Sequence, residues 1–279
     1  MEKEPILSSN DIEKEKNPER GANVHIHIDL IRHPEKDPDT GKLTEKGKEA
    51  FFNNLLKNFQ EGEEYDTTKF YVSPLSRGQE SKEPIAAFLE ASNIPTTIRD
   101  KKELVGRAME IGPAFKEEMA KVLEQNEALT QKQIEEAREK DKSIATYEPA
   151  SKDYETKTNE ILIRDYFSQD FPGSTLTGED MAESIKGLVD HFSEMASRLK
   201  SNSKVKLVLI GHSGVIEHFT KYVYLQNHPE IKPEDVDAET IGGLVEFGEG
   251  PEITILTDQE GKPEIKLKFK NLELSYQHE

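Results

Sequence analysis

The feature that most constrains the fold is a near-continuous apolar strand, KVKLVLIG at 204–211, which runs directly into a helix-like segment. A strand with so few polar residues must be covered on both faces, which is typical of a parallel sheet flanked by helices. A second such strand, VHIHIDLI, begins at residue 24, and strand-like and helix-like segments alternate after it. The pattern predicts an α/β fold with a mostly parallel central sheet and helices on both faces.

The segments around these two strands follow the same alternation. The spacing predicts a helix from Thr44, as its N-cap, to Phe59, a strand over 69–73, a helix over 76–91 and a strand over 96–99. A further helix is predicted over 178–199. Near the end of the chain, EITILT and EIKLKFK flank the turn DQEGKP, which predicts a C-terminal β-hairpin.

Two segments fall outside the alternation. Residues 1–23 are charged and lack an apolar core, so we expect a mobile N-terminal arm ahead of a single domain over 24–279. Residues 113–173 are dense in Glu, Lys and Gln, with apolar residues at roughly helical spacing. They predict a helical insertion, which is either a cap over an active site or a helix packed on one side.

Composition excludes several classes of function. Lys and Arg number 37 against 55 Asp and Glu, for a net charge of −18, and such a surface repels nucleic acid and anionic membranes. The chain has no cysteine, which excludes thiolate catalysis and zinc sites built on cysteine. No signal-peptide-like segment is apparent, and no run approaches the roughly 18 apolar residues that a membrane span needs. We therefore expect a cytoplasmic protein without nucleic-acid or membrane partners.

Reactive side chains fall where the predicted strands end. Arg32 and His33 end the first strand, Arg77 follows the second, and His212 ends the apolar strand. Ligands of parallel sheets bind beyond the carboxyl ends of the strands. Arginine forks match phosphate oxygens, while imidazoles donate to a phosphoryl group or attack it. Pro34 favours an extended His33, and the helix after His212 offers backbone N–H groups, so these residues predict a phosphoryl site.

Three segments, LIRHPEK, SPLSRGQESKEPIAAFL and LVLIGHSGVIEHF, resemble in order the signature segments of the histidine phosphatase superfamily, which has the phosphoglycerate-mutase-like fold. The resemblance implies that His33 is the nucleophile and becomes transiently phosphorylated. It implies that Arg32, Arg77 and His212 hold the phosphoryl oxygens, with no metal or cofactor. The second ring nitrogen of His33 should then donate to an acceptor that the sequence does not identify.

The resemblance also implies a carboxylic acid that protonates the leaving oxygen. Glu103 and Glu110 are the candidates, and Glu103 is preferred because it follows the predicted strand more closely. Pro34 departs from the glycine that is usual in the family, which removes a backbone N–H from the site. The acidic loop EKDPD favours hydrolysis over mutase chemistry. The expected substrates are small phosphomonoesters, or alternatively a phosphoprotein.

Two other functions compete with this interpretation. GHSG at 211–214 is close to a nucleophile elbow with Ser213, but Val215 stands where a serine α/β-hydrolase needs glycine. The fold also suits a non-catalytic binding or regulatory module, which retention of both arginines and both histidines disfavours. His25 and His27 share a strand face and are interpreted as packed or hydrogen-bonded strand residues rather than as a metal pair.

Overall fold

The computed structural model describes residues 20–35, 37, 42–60, 64–104 and 178–278. The predicted insertion over 113–173, the candidate acid Glu110 and residues 1–19 of the predicted arm lie outside the described residues. Residues 20–23 are bonded to the folded domain: the Gly21 N–H donates to the Leu199 carbonyl at 2.9 Å, and the Asn23 N–H donates to that of Asp258 at 3.0 Å. The end of the predicted arm is thus part of the domain.

In the part of the chain that the structure describes, seven strands form one mixed sheet, which confirms the predicted α/β class. The spatial order is β3-β2-β4-β1-β5-β6-β7. Neighbours among β3, β2, β4 and β1 are parallel, whereas β5, β6 and β7 continue the sheet in antiparallel fashion. The strands are β1 (His25–Arg32), β2 (Thr67–Val72), β3 (Ile98–Asp100), β4 (Lys204–Gly211), β5 (Glu252–Thr257), β6 (Pro263–Phe269) and β7 (Leu272–Tyr276).

Helices cover both faces of the parallel strands. Alternate residues of β4 show this arrangement, because Leu207 and Leu209 pack with α4 and α5 whereas Val208 and Ile210 pack with α1 and α3. No helix in the described part of the chain is long and apolar enough to cross a membrane. The described helices are α1 (Glu45–Gln60), α2 (Ser76–Glu80), α3 (Lys82–Ser92), α4 (Gly178–Ala196) and α5 (Val215–Asn227), and a 3₁₀ turn spans Pro233–Asp235.

Two predicted elements differ in detail from the structure. The helix expected over 76–91 is divided into α2 and α3 at Ser81. Pro84 has no N–H to donate to the Glu80 carbonyl, so a continuous helix would lack that hydrogen bond. The predicted C-terminal hairpin is formed by β5 and β6, but β7 adds a third antiparallel strand. The predicted N-cap is confirmed, since Thr44 Oγ1 accepts the Gly47 N–H at 2.9 Å.

A buried ion pair joins the two central strands on the α1 side of the sheet. Lys206 Nζ lies 2.9 and 2.8 Å from the two carboxylate oxygens of Asp29, and His27 Nε2 bonds the same carboxylate at 2.8 Å. Burial raises the pKa of Asp29, but the hydrogen bond from His27 and the charge of Lys206 outweigh it and lower the pKa. His27 is thus a hydrogen-bonded strand residue, and the described residues contain no group of three or more His, Asp or Glu suited to a metal ion.

Candidate active site

The carboxyl ends of three parallel strands bring the predicted site residues to one edge of the sheet. β1 and β2 both pair with β4, in a register that sets Arg32 beside Gly211 and Val72 beside Ile210. The His33 N–H extends this pairing by donating to the Gly211 carbonyl at 3.1 Å. Side chains far apart in the sequence therefore start from neighbouring strand ends.

His33 lies at the centre of this edge with its ring held in one tautomer. The residue is 1% exposed, and its Nδ1–H donates to the Pro34 carbonyl at 2.8 Å. Because a carbonyl oxygen only accepts, the neutral ring carries its lone pair on Nε2, which lies 3.2 Å from Arg77 Nη1. The acceptor that the sequence left unidentified is therefore the backbone carbonyl of Pro34. Any other residue at this position would also offer a carbonyl.

The two histidines of the site are neutral near pH 7. Burial is the main cause that lowers the pKa of His33 to about 3, and the hydrogen bond to Pro34 opposes it. The charges of Arg77 and Arg32, and that of His212 when it is protonated, lower the pKa further. Burial, followed by the charges of both arginines, also lowers the pKa of His212 to about 4. Each of these groups thus lies within the electrostatic reach of the others. An unprotonated imidazole surrounded by fixed cations is suited to attack an anionic electrophile.

Ser73 fixes the orientation of His212. The ring of His212 is 5.1 Å from that of His33 between centroids, and its Nε2 lies 2.8 Å from Ser73 Oγ. The same oxygen accepts the Leu75 N–H at 3.2 Å, so the hydroxyl is anchored on both sides. Ser73 was not among the predicted site residues. The sequence feature that could have indicated Ser73 is its place at the end of a strand that runs parallel to the strand before His212.

The segment before β5, which contains Val245 and Phe247, also contributes to the site and orients Arg32. One guanidinium nitrogen, Nη1, donates to the Val245 carbonyl at 2.8 Å, and the guanidinium carbon lies 3.9 Å from the centre of the Phe247 ring. The Phe247 ring is also 5.7 Å from the His33 ring. These contacts hold a long, flexible side chain in one orientation. No sequence motif marks Val245 or Phe247, because their contact with β1 exists only in the folded chain.

Glu103 lies on a turn whose next residue contacts the end of β4. It follows β3, its side chain is 47% exposed, and its carboxylate is 4.0 Å from Lys101 Nζ. The next residue, Leu104, is buried, and its carbonyl lies beside Gly211 at the end of β4. The turn thus adjoins the strand that leads to His212.

Ser213 is engaged with a carboxylate rather than with an imidazole. Its Oγ–H donates to Glu217 Oε1 at 2.8 Å, and the Gly214 N–H donates to Glu217 Oε2 at 2.6 Å. A serine nucleophile needs an adjacent base oriented towards it, typically histidine. This geometry disfavours a serine hydrolase. It also occupies the Gly214 amide, one of the N–H groups expected to bind an anion.

His218 is a third buried histidine, located on α5, the helix that follows His212. It is 2% exposed, and its Nδ1–H donates to the Gly214 carbonyl. Burial is the main cause that lowers its pKa to about 3; the hydrogen bond to Gly214 opposes the shift, and the charge of Lys221 adds to it. The hydrogen bond ties its side chain to the start of α5.

The comparisons with known proteins returned structures only, since no family model and no curated protein matches the chain. The chain is similar to mycobacterial glucosyl-3-phosphoglycerate phosphatase at 13% identity and a TM-score of 0.44, over 90% of this chain and 99% of that one. It is similar to Entamoeba histolytica phosphoserine phosphatase at 14% and 0.41, over 91% and 98%. The protein histidine phosphatase SixA gives 13% and 0.34, over 90% and 96%.

Proposed function

We propose that this protein is a phosphatase of the histidine phosphatase superfamily that hydrolyses phosphomonoesters through a phosphohistidine on His33. The proposal rests mainly on the protonation state and the hydrogen bonds of His33. It is a buried, neutral imidazole whose Nδ1 proton is held by Pro34, with its Nε2 lone pair facing Arg77. Attack on a phosphorus atom needs a lone pair of this kind next to cations that receive the phosphoryl oxygens.

In the proposed first half-reaction, His33 Nε2 forms a bond to phosphorus while the bond from phosphorus to the ester oxygen breaks. Arg77 shifts its N–H from Nε2 to a phosphate oxygen when the substrate binds, which releases the lone pair for attack. Arg32, Arg77 and His212 hold the non-bridging oxygens and offset the charge that builds on them. In the second half-reaction, water attacks the phosphorus, the P–N bond breaks and inorganic phosphate leaves.

Glu103 is our candidate for the acid that protonates the leaving oxygen. Its position on the turn after β3, next to the residue that packs beside Gly211, supports this role. The same carboxylate would then accept a proton from the attacking water in the second half-reaction. Glu110, the alternative acid, lies outside the described residues.

We propose small phosphomonoesters as the substrates, with a phosphoprotein as the alternative. A net charge of −18 disfavours polyanionic nucleic acids, so the cationic groups of the site act at short range on a single phosphoryl group. Hydrolysis is favoured over a mutase reaction, because a mutase must retain its phosphorylated intermediate within a strongly basic surround. The proposed chemistry needs neither a metal nor a cofactor, since the two arginines supply the permanent positive charge.

The test is hydrolysis of p-nitrophenyl phosphate by the wild type and by His33→Ala, with EDTA present. We expect turnover that survives the chelator and falls at least about 10³-fold in His33→Ala, because the nucleophile is lost. His228→Ala is the matched control, since His228 is a partly exposed residue at the end of α5. Activity that is equal in wild type and His33→Ala would rule out the proposed nucleophile. Hydrolysis of p-nitrophenyl acetate that Ser213→Ala abolishes would instead favour the serine hydrolase.

A further inference from the structure

We infer that Glu217 is a positioning residue that sets the orientation of the Arg32 guanidinium through the backbone of Val245. The inference rests on the proposed function, because it assigns a task within the same phosphoryl site. Glu217 is on the first turn of α5 and is 0% exposed.

The carboxylate of Glu217 accepts three hydrogen bonds from two different segments. Ser213 Oγ–H and the Gly214 N–H donate to it at 2.8 and 2.6 Å, and the Val245 N–H donates at 3.1 Å. Bonds to the residues just before a helix are what a glutamate at the third helical position ordinarily makes. The bond to Val245 is different in kind, since it joins the start of α5 to the segment before β5.

Val245 transmits this anchor to Arg32. Its N–H is bound by Glu217, and its carbonyl accepts Arg32 Nη1 at 2.8 Å. Two residues later, Phe247 contacts the face of the same guanidinium at 3.9 Å. Both of these groups therefore lie on a segment that the carboxylate binds through the buried Val245 N–H. Loss of that acceptor leaves the Val245 N–H buried and unsatisfied, so the segment must shift to satisfy it.

The orientation of Arg32 matters because a guanidinium binds phosphate as a planar fork. Two parallel N–H groups meet two oxygens only when the plane is aligned with them. A displacement of the Val245 carbonyl rotates that plane away from the phosphoryl group. His33 follows β1 and Arg77 is on α2. The hydrogen bonds described for their side chains go to Pro34 and to each other, whereas the segment before β5 meets the His33 ring through Phe247, 5.7 Å away between centroids. The loss should therefore fall mainly on Arg32.

A double-mutant cycle tests this role. Glu217→Met keeps nearly the length of the side chain but removes both acceptor oxygens, so the Val245 N–H loses its partner. We expect kcat/KM for p-nitrophenyl phosphate to fall about tenfold in the wild-type background, and by the same factor in Arg77→Ala. In Arg32→Ala we expect no further fall, because the side chain that Glu217 positions is absent. A tenfold fall that persists in Arg32→Ala would overturn the inference and leave Glu217 as a helix cap alone.

The two proposals fail in different ways. If the wild type hydrolyses no phosphate ester, the proposed function fails, and the same cycle is then measured as affinity for inorganic phosphate by calorimetry. Tighter phosphate binding that depends on Glu217 only when Arg32 is present would support the inference without catalysis. A wild type that binds no phosphate would overturn the inference as well. If Glu217→Met does not fold, Glu217→Asp replaces it, with a smaller loss of the same dependence expected.

Discussion

Gly78 offers a direct test of how tightly the site is built, because α2 packs against the end of β2 at this residue. A Cβ added to Gly78 would lie 2.2 Å from the Ser73 carbonyl oxygen and 2.8 Å from Ser73 Cβ. The nearest of these atoms belongs to the backbone, so rotation of a side chain cannot relieve the contact. In Gly78→Ala, α2 and the end of β2 must therefore separate by roughly 1 Å to restore normal van der Waals contact.

That separation moves two parts of the site in opposite directions. Arg77 precedes Gly78 on α2, while Ser73 carries the hydrogen bond to His212 at 2.8 Å. A misplacement of about 1 Å in a catalytic arrangement costs about 10²-fold in rate, or about 2.7 kcal/mol of transition-state stabilisation. Overpacking should also cost about 1–3 kcal/mol of unfolding free energy. We therefore expect a folded variant that is far less active.

Steady-state kinetics on p-nitrophenyl phosphate, with a thermal melt of each variant, measures both effects. Gly187→Ala is the matched control, since Gly187 lies on the exposed side of α4 and an added Cβ meets nothing within 4 Å. The control should keep its activity and gain about 0.5–1 kcal/mol of stability, because alanine is the better helix former. A folded Gly78→Ala protein with kcat/KM within about threefold of wild type would refute the reasoning.

Three further predictions follow from the same geometry. Ser73→Ala should lower kcat/KM about tenfold with little change in melting temperature, because the His212 ring loses the hydroxyl that orients it; equal kinetics in the two proteins would contradict this. The free energy of unfolding should fall as the pH drops from about 6.5 to 4. In the folded protein the pKa values of His33, His212 and His218 are about 3, 4 and 3. The unfolded chain therefore binds more protons than the folded chain between these pH values. The loss is on the order of 2 kcal/mol per histidine at pH 5, and urea unfolding at pH 7 and 5 measures it. Glu103→Gln should slow release of an alkyl alcohol, a poor leaving group, far more than release of p-nitrophenol; equal slowing of both would exclude it as the acid.

Much of the fold was predictable because burial leaves a strong pattern in the sequence. β1 and β4 are apolar runs, and their pairing in the centre of the sheet agrees with the interpretation of both as covered strands. The division between α2 and α3 was missed because the apolar spacing continues through it, although Pro84 is a local signal. β7 was missed because LELSY is short and only alternates, a pattern that a surface segment also shows.

The candidate site was predictable only for residues with an unusual type at a strand end. Arg32, His33 and His212 met that condition, and parallel pairing brings them together. The partners that orient these side chains were not predictable in the same way. Phe247 and Glu217 act through contacts between segments that meet only after folding, and nothing in their local sequence distinguishes them from other loop and helix residues.

The strand order also dictates when the sheet can be assembled during synthesis. β1 pairs with β4 and β5, and β2 pairs with β3 and β4. The parallel partner of His25 is Lys204, so β1 cannot form this pairing until β4 has been synthesised. When residues up to about 100 have left the ribosome, Arg32, His33 and Arg77 are present without β4, the strand that lies between β1 and β2. The entropy of closing the loop between β1 and β4 is lost before any contact between the strands forms, and non-local parallel pairing is slow. Chaperone demand should therefore be highest before β4 emerges and should fall sharply afterwards.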